Sequence, residues 1–475
     1  MTCGFVKVIF KCAPNKKGNS ITTKNAENNL KAGRFHQTQI IKQPSIFEDE
    51  IMTGLFSEQN LLRLSNLKLA KSDSTAKRKF SCDTGKYCDL SNKGLYDFSP
   101  SLQHFRPMIK SINLRGNHLG SFPAKLLTIT SVDDVDLSYN NIIDLTPDIE
   151  QLTNLKYLDL TSNLLHDLSD GLKSCTRIKS LMLSDNNFEQ FPDVILKLAS
   201  LKALFMSNCS LSYIPDNIMN LVSIETLDLS TNCLKSLNKN FDKLSTLKNL
   251  HLGMNEFTKF PQEISQLTNL EDLNLSNNKL VKTEGFFLKL ANLSRLHING
   301  NYLTDLDDEF SVMNQLTDLS IAENMITKLN IDFSKMKNLT ILNMSGNCIE
   351  QFGKCNFESL TNIVELKLRY CRLKSIPDWA TSLSSLVKLN LAGNKLKTLD
   401  VSALAKLKNL QILSIRNNKI EQLSSELASL SNLFEVDLKN NPLKIIPVSL
   451  LEMENTTFKM SDEYKRSTLP VIQEE

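Results

Sequence analysis

From residue 109 onward the chain alternates apolar and polar positions in a block that returns at a nearly fixed step. The block reads L-x-x-L-x-L-x-x-N-x-L. It appears as IKSINLRGNHL at 109, continues through VDDVDLSYNNI, LKYLDLTSNLL and IKSLMLSDNNF, and closes with LFEVDLKNNPL. Its ninth position is Asn at 117, 140, 163 and 186, at 232 through 347, and at 394, 418 and 441, with Cys209 and Cys371 interrupting the column. Twelve of the fourteen intervals are 23 residues and two are 24. A degenerate copy, GKYCDLSNKGL at 85–95, lies one step upstream and makes sixteen. A weaker echo, LSNLKLAKSDS at 64–74, reads as either a cap helix or a decayed copy.

Within each block, apolar positions 4 and 6 alternate with polar 3, 5 and 7, the period of a strand with one buried face. Strands of successive blocks are expected to pair in parallel. The Asn at position 9 turns inward, where its amide satisfies backbone groups as the chain leaves the strand. The return segments, such as FPDVILKLAS, IPDNIMNLVS and FPQEISQLTN, carry Pro192, Pro215 and Pro261 at the start of a short helical or extended turn. One block cannot bury its own apolar side, so the stack stands or fails together. The fold predicted is a right-handed α/β solenoid of about sixteen repeats with a parallel concave sheet. Its expected organisation is a disordered basic arm over 1–44, an N-terminal cap region over 45–84, the solenoid over 85–443, and a C-terminal cap and short tail over 444–475.

On these motifs residues 85–450 resemble leucine-rich-repeat proteins of the intracellular 23-residue kind, with h-P-x-x-h-x-x-L on the convex side, as in Scribble-type and Ras-suppressor-type scaffolds. The resemblance implies a non-catalytic scaffold or adaptor that holds protein partners in signalling, and it names no partner.

Composition refines this picture in three places. Net charge is +3, but residues 1–80 hold 14 Lys+Arg against 6 Asp+Glu, whereas the remainder holds 41 against 46. A basic arm thus precedes a mildly acidic body, and the signal falls short of a nucleic-acid footprint. No run of 18 apolar residues suggests a membrane span. The opening MTCGFVKVIFKCAPNKK is a poor secretory signal, interrupted at Lys7 and ended by Lys11. The ten cysteines include none beyond Cys371, which favours a reducing compartment: the cytoplasm, with the nucleus as a second location. Cys82 and Cys88 resemble half of an extracellular cap, and a secreted or receptor-type ectodomain is the reading they would support if oxidised.

If the strands line the concave wall, side chains at positions 3, 5, 7 and 8 face a partner. Two groups stand out there. Tyr157, Met182 and Phe205 form an apolar patch beside Asp136 and Asp159, suited to anchoring a protein. The segment KLRYCRL brings Lys367, Arg369, Tyr370 and Arg372 together, extended by Lys388, Lys395, Arg416 and Lys419. Guanidinium forks there suit an acidic or phosphorylated peptide. A solvated surface is the bland reading of both. His251 and His297 occupy equivalent positions two strands apart with Asn274 between them, too far for one metal, so neither metal nor cofactor is expected. No nucleophile elbow, phosphate loop, dinucleotide fingerprint or zinc-protease helix is present, and the chain does not read as an enzyme. In the arm, Lys7-Val8-Ile9-Phe10 resembles the basic-Val-x-Phe peptides with which partners dock on phosphatase catalytic subunits, Val8 and Phe10 filling two apolar pockets. A regulatory subunit acting through that peptide is the alternative function.

Overall fold

The computed structural model describes residues 86–98, 108–306 and 308–461, and the backbone of 471–472. All belong to one compact unit, Phe80–Glu475. The arm over 1–44, the cap region over 45–84, the Lys7–Phe10 peptide and Cys82 lie outside the described residues.

The alternation at positions 3 to 6 produces what it predicts. Seventeen strands, each of three residues, pair in parallel and in register from Tyr87–Asp89 through Ser111–Asn113 to Glu435–Asp437 and Thr457–Lys459. Each strand spans positions 3 to 5, with position 4 packed inward: Ile112, Val135, Leu158 and Leu181 are at most 2% exposed. Position 6 follows it inward at Leu114, Leu137, Leu160 and Leu183. Apolar side chains from every repeat merge into one continuous core running the length of the stack.

Sixteen strands match the sixteen sequence blocks. The seventeenth, Thr457–Lys459, falls within the region expected as a C-terminal cap. Phe458 and Met460 keep the apolar alternation and pack against the core, although the consensus Leu and Asn around them have gone. Beyond it, Val471–Ile472 pairs in parallel with Ile446–Pro447 on a separate two-stranded sheet.

The returns are short 3-10 helices, with single α-turns at Asp378–Thr381, Val401–Leu404 and Val448–Leu451. Nearly every one starts in one of two ways. Pro123, Pro192, Pro215, Pro261, Pro377 or Pro447 precedes the first turn without a side-chain cap. Elsewhere Thr146, Ser169, Asn238, Asp332, Asp400 or Ser424 accepts a backbone N–H of that turn through its side chain. Proline presets the entry torsion while a capping oxygen satisfies an orphan donor, so the two chemistries interchange. Larger return residues thicken the layer: Phe260, Phe286, Phe287 and Phe310 contact one another, and Phe333, Phe357 and Trp379 stack at 5.0 and 4.0 Å.

Candidate functional site

The wall carried by the strands is held by the asparagine column. Asn278 donates from Nδ2 to Leu252 O and Leu275 O at 3.0 and 3.1 Å, and its Oδ1 accepts the Phe257 N–H at 3.1 Å. The same three bonds recur at Asn140, Asn163, Asn186 and the other members of the column. Bringing that side chain inward demands a sharp exit from the strand. Position 8, the residue before it, is left-handed in all sixteen repeats, from Asn92 at φ 55° to Asn440 at φ 58°. Only four of the sixteen are glycine; Tyr139, Thr231, Met254 and Tyr370 adopt the same torsion with full side chains. A second amide row sits where the chain enters each strand. Asn154, Asn269, Asn292, Asn338 and Asn432 each donate to a carbonyl one repeat back. Its signal in the sequence is an Asn before the leading Leu, as T-N-L at 153 and 268, A-N-L at 291, K-N-L at 337 and S-N-L at 431.

With both exits fixed, positions 3 and 5 of every strand project from the sheet beside positions 7 and 8. The Tyr157–Asp159, Ser180–Met182 and Ala203–Phe205 strands are consecutive. Met182 lies between Asp159 and Phe205 in register, whereas Tyr157, 40% exposed, is the partner of Asp134 and Ser180 in the neighbouring column. The apolar patch is therefore two side chains in one column and a third one strand back in the next. Next to it, Asp136 and Asp159 face each other across paired strands. Loss of water around Asp159, reinforced by the Asp136 charge, pushes its carboxyl up to about 6. Burial likewise raises Asp134, whose Oδ2 accepts the Ser111 hydroxyl at 2.7 Å.

Midway along the wall, the two histidines pair with carboxylates. Nε2 of His251, 6% exposed, lies 3.7 Å from Asp272 Oδ2, and Arg295 Nε reaches the same oxygen at 2.8 Å. Burial opposes charge on His251, but the Asp272 hydrogen bond and the Asp228 and Asp272 charges outweigh it and raise its pKa. Asp272 is lowered for the complementary reason: burial works against the carboxylate, and His251 and Arg295 overcome it. His297 Nε2 lies 3.4 Å from Asp318 Oδ2. Among the described residues no three His, Cys, Asp or Glu side chains are placed to hold a metal ion. Burial raises the thiols of Cys209 and Cys371 to about 12 and about 11, which leaves them poor nucleophiles.

The basic group divides into two rows. Lys367, Arg369, Lys388 and Arg416 stand on the wall at positions 3, 5 and 7, and Arg372, Lys395 and Lys419 lie at position 10 on the loop edge. Lys367 is tied to Glu365 at 3.3 Å and Arg416 approaches Asp437 at 3.9 Å. Tyr370, at position 8 and 52% exposed, joins the rows, with the Arg369 guanidinium 5.4 Å from its ring centre. Its ring lies across Gly393, where any Cβ would collide with it.

No helix among the described residues is long and apolar enough to cross a membrane. The model of the leucine-rich repeat region matches residues 195–461, and a second leucine-rich repeat model matches 130–188 and 153–211. No curated protein matches the chain. Among solved structures, a leucine-rich repeat protein of Leptospira interrogans is 29% identical with a TM-score of 0.62, covering 79% of this chain and 91% of its own. The internalin InlF of Listeria monocytogenes is 20% identical, with a TM-score of 0.51, covering 75% of this chain and 88% of its own. The plant peptide hormone receptor RGFR1, solved in complex with RGF2, is 21% identical with a TM-score of 0.54, covering 80% and 71%. Repeat period, parallel wall, asparagine column and a family match over more than half its length agree, and the chain belongs to the leucine-rich repeat family.

Proposed function

We propose that the protein is a non-catalytic scaffold or adaptor that holds a protein partner against its concave wall. The observation that carries this reading is a wall of seventeen strands whose columns 3, 5, 7 and 8 leave most of their side chains partly or fully exposed, with bulky apolar and charged residues clustered at two places on it. Tyr157, Met182 and Phe205 serve as anchors at one end. At the other, Lys367, Arg369, Tyr370, Arg372, Lys388 and Arg416 offer cations and an aromatic ring to an acidic or phosphorylated segment. The 23-residue period favours the Scribble and Ras-suppressor kind of repeat, and with it a signalling role in the cytoplasm or nucleus. A peptide hormone receptor among the similar folds supports ligand capture by such a wall.

The peptide Lys7-Val8-Ile9-Phe10 supports a second reading, in which the chain is a regulatory subunit docked on a phosphatase catalytic subunit. Affinity pull-down separates the two, with wild type, Phe205→Ala/Arg369→Ala/Arg372→Ala, and a deletion of residues 1–44 as baits. Partners lost with the wall substitutions alone support the scaffold. Loss of a phosphatase catalytic subunit with the deletion alone transfers the function to the arm.

A further inference from the structure

The two ends of the wall differ in how their charges are neutralised. Near the C-terminus Lys367, Arg416 and Lys459 each meet a carboxylate, from Glu365, Asp437 and Glu435. Near the N-terminus Lys156 pairs with Asp133 at 3.1 Å, but Asp136 and Asp159 make no ion pair among the described residues. Asp136 Oδ1 takes the Ser138 N–H and hydroxyl at 2.9 and 2.6 Å, and Asp159 Oδ1 takes the Thr161 N–H at 2.8 Å. Arg115, the nearby guanidinium, donates to the Ser138 hydroxyl at 3.1 Å and lies over the Tyr139 ring, and it acts on Asp159 through its charge alone. Register then places Met182 and Phe205 directly after this pair in the same column. A second group is also unspent. Ser180, 7% exposed, stands at position 3 between Tyr157 and Ala203, and its buried hydroxyl has no hydrogen-bond partner among the described residues. An orphaned buried hydroxyl costs stability unless something supplies its bond.

We propose that this stretch binds a linear segment carrying a lysine or arginine near a bulky apolar side chain, the cation on Asp136 and Asp159 and the apolar group over Met182 and Phe205. The inference rests on the concave reading above and adds the chemistry of the partner. Strand spacing sets the segment's pattern: Asp159 to Phe205 is two steps of about 4.8 Å, or roughly three residues of extended chain. A main-chain group of the segment bonds the Ser180 hydroxyl once a neighbouring side chain moves aside. Nucleic acid is disfavoured, because phosphates meet uncompensated carboxylates here.

The test is selection of random dodecapeptides displayed on phage against the full chain, followed by fluorescence anisotropy of labelled enriched peptides. The expected result is enrichment of Lys or Arg two to four residues from Leu, Phe or Trp. Asp136→Asn/Asp159→Asn and Met182→Ala/Phe205→Ala should each weaken binding by about tenfold or more, while Lys197→Ala, exposed on the Asp193–Lys197 return, leaves it unchanged. Circular dichroism identifies any variant that fails to fold, and Ser180→Ala, a minimal change in the same floor, provides an independent reading with a smaller loss. Acidic peptides lost with Arg369→Ala/Arg372→Ala would overturn this inference and leave the concave reading standing. Enriched peptides bound equally by every wall variant would overturn both. No enrichment over bare support, or equal competition by spermine with no effect of the apolar substitutions, refutes the segment proposed.

Discussion

Cys209→Asn should make the protein more stable, because the cysteine leaves a gap that asparagine fills in thirteen other repeats. Lys93, Cys209 and Cys371 are the three residues that replace asparagine at position 9. In all three the N–H at position 9 turns to the next repeat's amide oxygen, at 3.0, 3.1 and 2.9 Å. In all three the following residue, Gly94, Ser210 or Arg372, is left-handed, at φ 64°, 60° and 57°. The Cys209 thiol has one hydrogen to share between Leu183 O at 3.3 Å and Ser207 O at 3.4 Å. No acceptor among the described residues reaches the Phe188 N–H, whose counterpart at Leu165 bonds Asn186 Oδ1 at 3.0 Å. An amide at 209 would supply that acceptor and two stronger donors, and it would let Ser210 leave the left-handed region. At about 1 kcal/mol net per hydrogen bond and about 1 kcal/mol for the torsion, less the cost of desolvating an amide, the gain is roughly 1–3 kcal/mol. A long array does not melt as one unit, so a global midpoint blurs a local gain. Hydrogen exchange resolved to peptides across 183–211 is the appropriate assay, with about tenfold slower exchange for every 1.4 kcal/mol gained. Cys209→Ser is the control, since its hydroxyl does not extend to the Phe188 N–H. Unchanged or faster exchange in a folded Cys209→Asn protein, with Ser210 still left-handed in its structure, would refute the claim that the column governs this turn.

Asp159→Asn should separate from wild type as pH rises. The raised carboxyl keeps its proton in the folded chain up to about 6 but loses it near 3.8 when unfolded, so wild-type stability falls across that window. The ceiling on the difference is about 3 kcal/mol, and partial exposure of Asp159 reduces the expected value to about 1–2 kcal/mol. Denaturation profiles at pH 4 and 7.5 check it: equal gaps at both would refute the assignment. At position 8, Thr231→Asn should add roughly 1 kcal/mol, because a β-branched residue at φ 56° is strained where asparagine is tolerated. Gly393→Ala should cost a similar roughly 1–2 kcal/mol and displace the Tyr370 ring. Hydrogen exchange resolved to peptides of each repeat gives the comparison, and faster exchange around a Thr231→Asn site contradicts it.

The repeat was legible because its internal positions answer to a period. Positions 4, 6 and 9 each have one environment repeated sixteen times, so a single chain serves as its own comparison. The left-handed column was hidden by residue choice. Glycine marks it only at 116, 300, 346 and 393, and nothing about Tyr139 or Thr231 announces a positive φ. The His251–Asp272–Arg295 group was hidden by register: its members lie 21 and 23 residues apart, on three strands and in two columns. The final strand was hidden by erosion, since Thr457–Lys459 keeps only Phe458 and Met460 of the consensus.

That division bears on where function resides in this chain. Columns 4, 6, 9 and 11 are constrained by the stack, and a change there is read as stability whatever the partner. Columns 3, 5, 7 and 8 answer to the stack at few positions, such as His251 and Asp272, so a patch elsewhere on them needs its own cause. Lys367, Arg416 and Lys459 find that cause within the wall, in carboxylates that pair with them, and their presence therefore says less about a partner than the sequence suggests. Asp136 and Asp159 do the opposite. Two carboxylates paired across strands, partly dehydrated and with no ion pair among the described residues, raise the free energy of the isolated protein. A folded chain retains such an arrangement at a cost, and a cationic ligand recovers that cost on binding. Differential neutralisation, more than the bare count of charges, singles out the Asp136–Phe205 stretch as the end of the wall with most to gain from a partner.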